Sequence, residues 1–361
     1  MNTQRHAKTT HQVKVGHLAI GGNAPISVQS MTNTDTHDFS ATLSQVLALQ
    51  AAGCDIVRLA VPTREAAPVF AFLKEAGVKV PLVADIHFDY KIALDAIAAG
   101  ADKIRINPGN IGEEAYVKAV VKAASEKNIP IRIGVNAGSL EKHLLEKYGA
   151  PTPEALAESA MGHVRILEAL DFHDIVLSVK SSHVPTMIAT NRLLRDMTPY
   201  PIHLGVTEAG NQLSGIVKGA VGIGTLLAEG IGDTIRVSLT APPEEEVKVG
   251  YEILHALGYG KPRMDIVSCP TCGRTKIKLF EMCQDFHEKI TKAGLRDFPI
   301  KVALMGCAVN GPGEAREADI GIAGGIEEAL LFRHGQIVAK YPQDKIVDIL
   351  VEEIRQMAQE K

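Results

Sequence analysis

Cys269 and Cys272 form a C-x₂-C pair, a spacing that brings two thiolates onto one metal, with Pro270 and Gly273 shaping the turn. The pair alone serves zinc and iron–sulfur sites equally. Adding Cys283 and His287 gives C-x₂-C-x₁₀-C-x₃-H, which has the spacing of a zinc knuckle. The competing reading puts Cys283 and His287 one turn apart on a helix, with Cys283 a small buried apolar residue. Cys307 tips the balance toward iron and sulfide. It follows a hydrophobic run and opens a loop, Asn310-Gly-Pro-Gly-Glu314, whose glycines let backbone amides approach sulfide or thiolate closely. Three cysteines leave one iron of a 4Fe–4S cluster without a protein thiolate, and Glu314 could take that place. A carboxylate is harder than a thiolate and more easily displaced, so such a cluster would be catalytic rather than an electron wire. Cys54, in AAGCDIV, reads as core.

A second set is basic. Arg58, Arg105, Arg132, Lys180 and Arg236 each fall within or at the end of a different apolar, strand-like run. One such cation is easily a partnered charge. Five on five strands are harder to dismiss, because burying each unpaired would cost several kcal/mol. An anion held among them is the economical explanation, since arginine suits bidentate phosphate recognition and lysine adds a compact charge. The same run ends carry Asp85, His87, Asn107, Asn136, Ser178, Ser182, Thr207 and Glu208. Glu208 is an acid in a basic rim; it either moves protons or salt-bridges an arginine, and chemistry alone leaves both open. The glycines of GAVGIG (219–224) read as helix packing, and His6, His11 and His17 as a solvated N-terminal tail.

The elements that must position these groups follow one repeating pattern. Strand-like runs occupy 26–34, 55–62, 80–88, 101–109, 130–138, 174–182, 201–210 and 233–243. Helical stretches rich in Ala, Leu, Lys and Glu separate them, with an extra helix expected over Pro153–Leu170. Near-continuous apolar strands alternating with helices imply a parallel sheet covered on both faces. Eight such units predict a closed (β/α)₈ TIM-type barrel over residues 1–262, with its site at the carboxyl ends of the strands. Residues 263–361 change character and read as a small α+β iron–sulfur domain. It contains a helix near 275–292, strands in FPIKVALMG and ADIGIAG, a hairpin at Arg333–Gln336 and a final helix over 344–360.

Composition narrows the function. A net charge of −4, 4% aromatic residues and no Trp argue against a nucleic-acid surface. Five cysteines, an odd number clustered late in the chain, suit reduced metal ligands better than a disulfide framework. The polar N-terminus is no secretory signal, and no apolar run reaches the roughly 18 residues of a membrane span, so a cytoplasmic protein without membrane contact is expected. Two rival functions remain: a zinc-containing barrel enzyme on a phosphorylated sugar, and a non-catalytic ligand sensor.

VQSMTNTDT, CPTCGR and GCAVNGPGEAREADIGIAGG together resemble the 4-hydroxy-3-methylbut-2-enyl-diphosphate synthase family of the non-mevalonate isoprenoid pathway, over nearly the whole chain. The resemblance implies reduction of 2-C-methyl-D-erythritol 2,4-cyclodiphosphate, with ring opening and loss of an oxygen as water. It implies a 4Fe–4S cluster on Cys269, Cys272, Cys307 and Glu314. Diphosphate contacts would come from Arg58, Arg105, Arg132 and Lys180, with Asn107, Asn136, Arg236 and Ser238 nearby, and Glu208 would donate a proton to the departing oxygen. It further implies a flavodoxin or ferredoxin as electron donor and a head-to-tail homodimer.

Overall fold

The computed structural model describes residues 9–260, 262–307 and 317–360. Its contacts divide the chain into two compact units at Tyr259 and Gly260.

The first unit opens with a hairpin, β1 (Val13–Val15) and β2 (Leu18–Ile20). Eight parallel strands follow: β3 (Ser27–Met31), β4 (Ile56–Ala60), β5 (Leu82–Asp85), β6 (Lys103–Ile106), β7 (Ile131–Asn136), β8 (Ile175–Lys180), β9 (His203–Leu204) and β10 (Thr234–Ile235). They pair in the order β8-β7-β6-β5-β4-β3-β10-β9, and a parallel bridge from Leu177 to Ile202 joins the two ends, closing a barrel. Every residue of β5, β6 and β8 is buried, as strands covered by helices outside and side chains inside require. All eight strands fall within the runs expected from sequence, and the extra helix spans Pro153–Glu168.

Period two then sorts the barrel strands. Lys103 and Arg105 share one face of β6, while the apolar Ile104 and Ile106 take the other. Register sets the arginines level with one another: Asp85 pairs with Arg105, Arg105 with Arg132, and Asn136 with Lys180.

The N-terminal stretch departs from expectation. Val15 and Ile20 of the hairpin pack against Ile56 and Val83 in a small apolar cluster, so this segment is folded against the barrel strands. His11 and His17 are exposed, but the His11 backbone N–H donates to Pro199 and its ring meets Tyr200 edge-on. His6 lies outside the described residues. The 219–224 glycines sit in the helix Gln212–Ala228; a Cβ at Gly222 would lie 2.7 Å from Met187 Cε, so packing accounts for that one, whereas a Cβ at Gly219 would make only an ordinary contact with Val237 and one at Gly224 would meet nothing within 4 Å.

The second unit is a five-stranded sheet in the order β11 (Asp265–Ser268), β12 (Lys301–Met305), β13 (Ile320–Gly324), β14 (Glu328–Arg333) and β15 (Gln336–Pro342). The first three are parallel and the rest antiparallel. Helices Leu279–Lys292 and Ile346–Gln359 bury Phe286, Ile290, Leu350 and Ile354 with the apolar residues of the sheet. His334 and Gly335 both take positive φ between β14 and β15, the geometry of a two-residue hairpin turn. The strand β11 was not anticipated from sequence.

Candidate active site

A cavity of about 290 Å³ opens at the carboxyl ends of the barrel strands. Arg58, Arg105, Arg132, Lys180 and Arg236 all line it, with Asn136, Ser178, Thr207 and Ser238. Five cations expected from five separate runs therefore surround one space, as parallel register around a closed barrel demands. Two carboxylates offset them. Asp85 Oδ1 accepts from Arg105 Nη1 at 3.1 Å, and Arg58 Nε lies 3.7 Å from Asp85 Oδ2. Glu246, on the helix Pro243–Ala256, takes Arg236 through two hydrogen bonds and also accepts from Ser30 Oγ at 2.8 Å. The Met31 thioether accepts from Arg58 Nε and Nη2 at 3.0 and 2.8 Å, and so separates that guanidinium from Arg236.

The electrostatics follow from this crowding. Burial would raise the Asp85 carboxyl, but Arg58, the His87 hydrogen bond and Arg105 hold it well below the usual carboxylate range. Burial lowers Arg58 to about 10 despite Asp85. Burial, then repulsion from Arg236, Arg58 and Arg132, drives the Lys180 ammonium well below its ordinary value. Arg132 is 1% exposed, gives Nη1 to Gln29 Oε1 at 3.3 Å, and keeps an Nε with no partner among the described residues. A surplus of buried positive charge with donors left over is a site prepared for an anion.

Two expected contacts stand apart from this lining. Asn107 is buried, but its side-chain oxygen accepts from the Gly109 N–H at 3.0 Å and caps the short helix Pro108–Ile111. Glu208 is exposed, immediately after Thr207, and holds a φ of 51°, a left-handed conformation uncommon outside glycine. The described ion pairs of Arg58, Arg105 and Arg236 go to Asp85 and Glu246, so a salt bridge from Glu208 to these three is replaced by those two acids.

Sequence reasoning missed Glu246, Met31 and Lys103. Glu246 sits among three acids in the first turn of its helix, where helix polarity alone would account for them. Lys103 had a usable signal, since it lies two residues before Arg105 on the same strand.

In the second unit, β11 and β12 run side by side, with Ser268 level with Leu304. Cys269 follows the first strand and Cys307 the second, and the Cys269 N–H donates to Leu304 O at 3.1 Å. A Cβ on Gly306 would lie 2.8 Å from Thr275 Cγ2 and 3.4 Å from Cys269 Sγ, so glycine keeps that approach open. The Arg274 N–H lowers the Cys272 thiol, favouring thiolate. Two of these observations suit thiolate ligation: the close approach at Gly306 and a stabilised Cys272 thiolate. Among the described residues, no three His, Cys, Asp or Glu side chains gather into a metal-binding group. That applies equally to Cys269, Cys272, Cys283 and His287 as a zinc set. Cys283 is half-buried against the domain core, and burial raises its thiol. Glu314 lies outside the described residues. Cys54 is buried, its thiol pushed up to about 12 chiefly by burial, which makes it core.

Residues 10–251 match the GcpE TIM-barrel domain and residues 265–356 the GcpE protein C-terminal domain. The chain belongs to the GcpE family. The GcpE relative from Clostridium perfringens named 4-hydroxy-3-methylbut-2-en-1-yl diphosphate synthase (flavodoxin) is 59% identical over 344 residues, covering 95% of this chain and 97% of that protein. One of the same name from Geobacter sulfurreducens is 55% identical over 352 residues, covering 98% and 99%. The GcpE barrel also resembles type I 3-dehydroquinate dehydratase of Clostridium difficile, with a TM-score of 0.51 and 14% identity over 69% of this chain and 98% of that one. That likeness is one of fold. No described helix is long and apolar enough to cross a membrane.

Proposed function

We propose that this chain is a 4-hydroxy-3-methylbut-2-en-1-yl diphosphate synthase, reducing 2-C-methyl-D-erythritol 2,4-cyclodiphosphate by two electrons with ring opening and loss of water. The observation that carries this is the cavity at the strand ends, lined by four arginine and lysine positions on β4, β6, β7 and β8 and by Arg236 after β10. A cyclic diphosphate offers the anion such a ring requires, and near-full-length identity to GcpE synthases supplies the reaction.

Arg58, Arg105, Arg132 and Lys180 hold the diphosphate and stabilise the charge that grows on it as the carbon–oxygen bond breaks. Asn136, Arg236 and Ser238 complete the binding surface, and Asn107 stiffens the loop after β6. Glu208 protonates the departing oxygen. Cys269, Cys272 and Cys307, with Glu314 as the exchangeable fourth ligand, would hold a 4Fe–4S cluster. When bound, the cluster supplies electrons one at a time, received from a flavodoxin or ferredoxin. The enzyme works in the cytoplasm as a head-to-tail homodimer, one subunit's cluster domain serving the partner's barrel. Mixing an Arg132→Ala chain with a Cys307→Ser chain then restores activity; no recovery after verified subunit exchange removes the dimer.

Anaerobic purification, iron and sulfide analysis and assay with the cyclodiphosphate under a strong reductant test the whole. The expected result is about four irons per chain, as a cubane cluster contains, and formation of the butenyl diphosphate. Stoichiometric zinc without iron, or tight substrate binding without turnover, would overturn it.

A further inference from the structure

Behind the arginine ring lies a second, fully buried polar layer to which no role has been given. Lys103 and His203 are both 0% exposed, and Lys103 Nζ and His203 Nε2 have no hydrogen-bond partner among the described residues. The strongest charge acting on Lys103 is Arg132, which lines the cavity; Arg58 comes next. The cavity above it is lined by Arg58 on β4, Asp85 on β5, Arg105 on β6, Arg132 on β7, Lys180 on β8 and Arg236 after β10, and the His203 imidazole lies on β9. Glu246 reaches Arg236 from the flanking helix. Both carboxylates are already engaged by arginines, leaving Lys103 without an acceptor. A buried ammonium with no acceptor and cationic neighbours is unfavourable, so the amine is neutral when the cavity holds no anion.

We propose that Lys103 takes up a proton when a phosphate-bearing anion enters the ring above it, so that ligand binding is proton-coupled. The ligand's negative charge cancels the field of Arg132 and Arg58 at Nζ and makes the ammonium form favourable. Burial and the same cations depress the free-state basicity of Lys103, in agreement with this geometry. Burial, then Arg132, Lys180 and Lys103, likewise push the His203 imidazole down in the anion-free protein. The proposal rests on the anion reading of the ring and deepens the proposed function.

The test is titration calorimetry of the full chain with inorganic pyrophosphate and, separately, with the cyclodiphosphate, in buffers of differing ionisation enthalpy. Wild type and Lys103→Met are compared, which cancels any protons exchanged by the ligand itself. Wild type should take up as much as about one proton more per chain than the variant, and its Kd should climb up to about tenfold more per pH unit. Equal proton counts with both ligands bound would overturn the inference and leave the substrate reading standing. Proton uptake with pyrophosphate but no binding of the cyclodiphosphate would do the reverse. Failure of both ligands to bind wild type refutes both. Nitrogen-15 NMR of lysine-labelled wild type needs no substitution: an ammonium signal for Lys103 in the anion-free protein would also sink the proposal.

Discussion

Arg236 meets Glu246 through two parallel hydrogen bonds, Nε to Oε2 at 3.0 Å and Nη2 to Oε1 at 3.1 Å. The carboxylate is 4% exposed and also accepts from Ser30 Oγ and the Leu239 N–H. One acid thereby fixes a guanidinium at the cavity wall and ties β3 to the strand end after β10.

Removing that acid leaves a mostly buried arginine uncompensated. Glu246→Ala should destabilise the protein by about 3 kcal/mol or more, as loss of one partner of a buried pair does. Glu246→Gln, which keeps an acceptor and the side-chain shape, should cost markedly less. Urea unfolding checks both, and equal stability of all three proteins would show that the pair contributes nothing.

Asp85 makes acid stability a local property. Its folded carboxyl titrates below its ordinary value of 3.8, so its contribution is present above that pH. The contribution is lost as pH falls through the lower folded value, where the native state must also take a proton. The stability difference between wild type and Asp85→Asn should therefore be constant above about pH 5 and shrink below about pH 4. A difference that widens on acidification would reverse the assignment.

Gly134 sits where a side chain would push into the ring. A Cβ there collides with the Arg105 guanidinium and would lie 2.7 Å from Nη2, although Arg105 is held by Asp85. Gly134→Ala removes no charge, yet it should weaken pyrophosphate or substrate binding by about tenfold, about 1.4 kcal/mol, by displacing one anion contact. Calorimetry reads the Kd directly. Unchanged affinity would mean that Arg105 relaxes freely or does not touch the anion.

The sequence made the barrel and most of its ring readable for one physical reason. Strands buried on both faces are nearly all apolar, so Arg58, Arg105 and Arg132 stand out against their neighbours. Glu246 was hidden because its partner, Arg236, lies ten residues earlier across an irregular turn, at a spacing that matches neither helix nor strand periodicity. The hairpin at Val13–Ile20 was hidden by its polar surroundings, although Val13 and Val15 alternate with exposed residues as a half-buried strand should. β11 is mostly exposed or half-exposed, so little apolar signal marks it.

The cysteines carry the sharpest division between rival readings. Cys269 directly follows β11 and Cys307 lies two residues past β12, its parallel neighbour, whereas Cys283 is half-buried on its helix and packs against the domain core. Under the cluster reading, Cys307→Ser should lose most of its iron and all turnover. Cys283→Ser should keep both, with a stability loss of about 1 kcal/mol or less from placing a hydroxyl where a half-buried thiol packed. Under a zinc reading the pattern reverses, because Cys283 would be a ligand and Cys307 would not. Metal analysis of both variants after anaerobic purification decides between them. Full iron in Cys307→Ser together with metal loss in Cys283→Ser would end the cluster assignment.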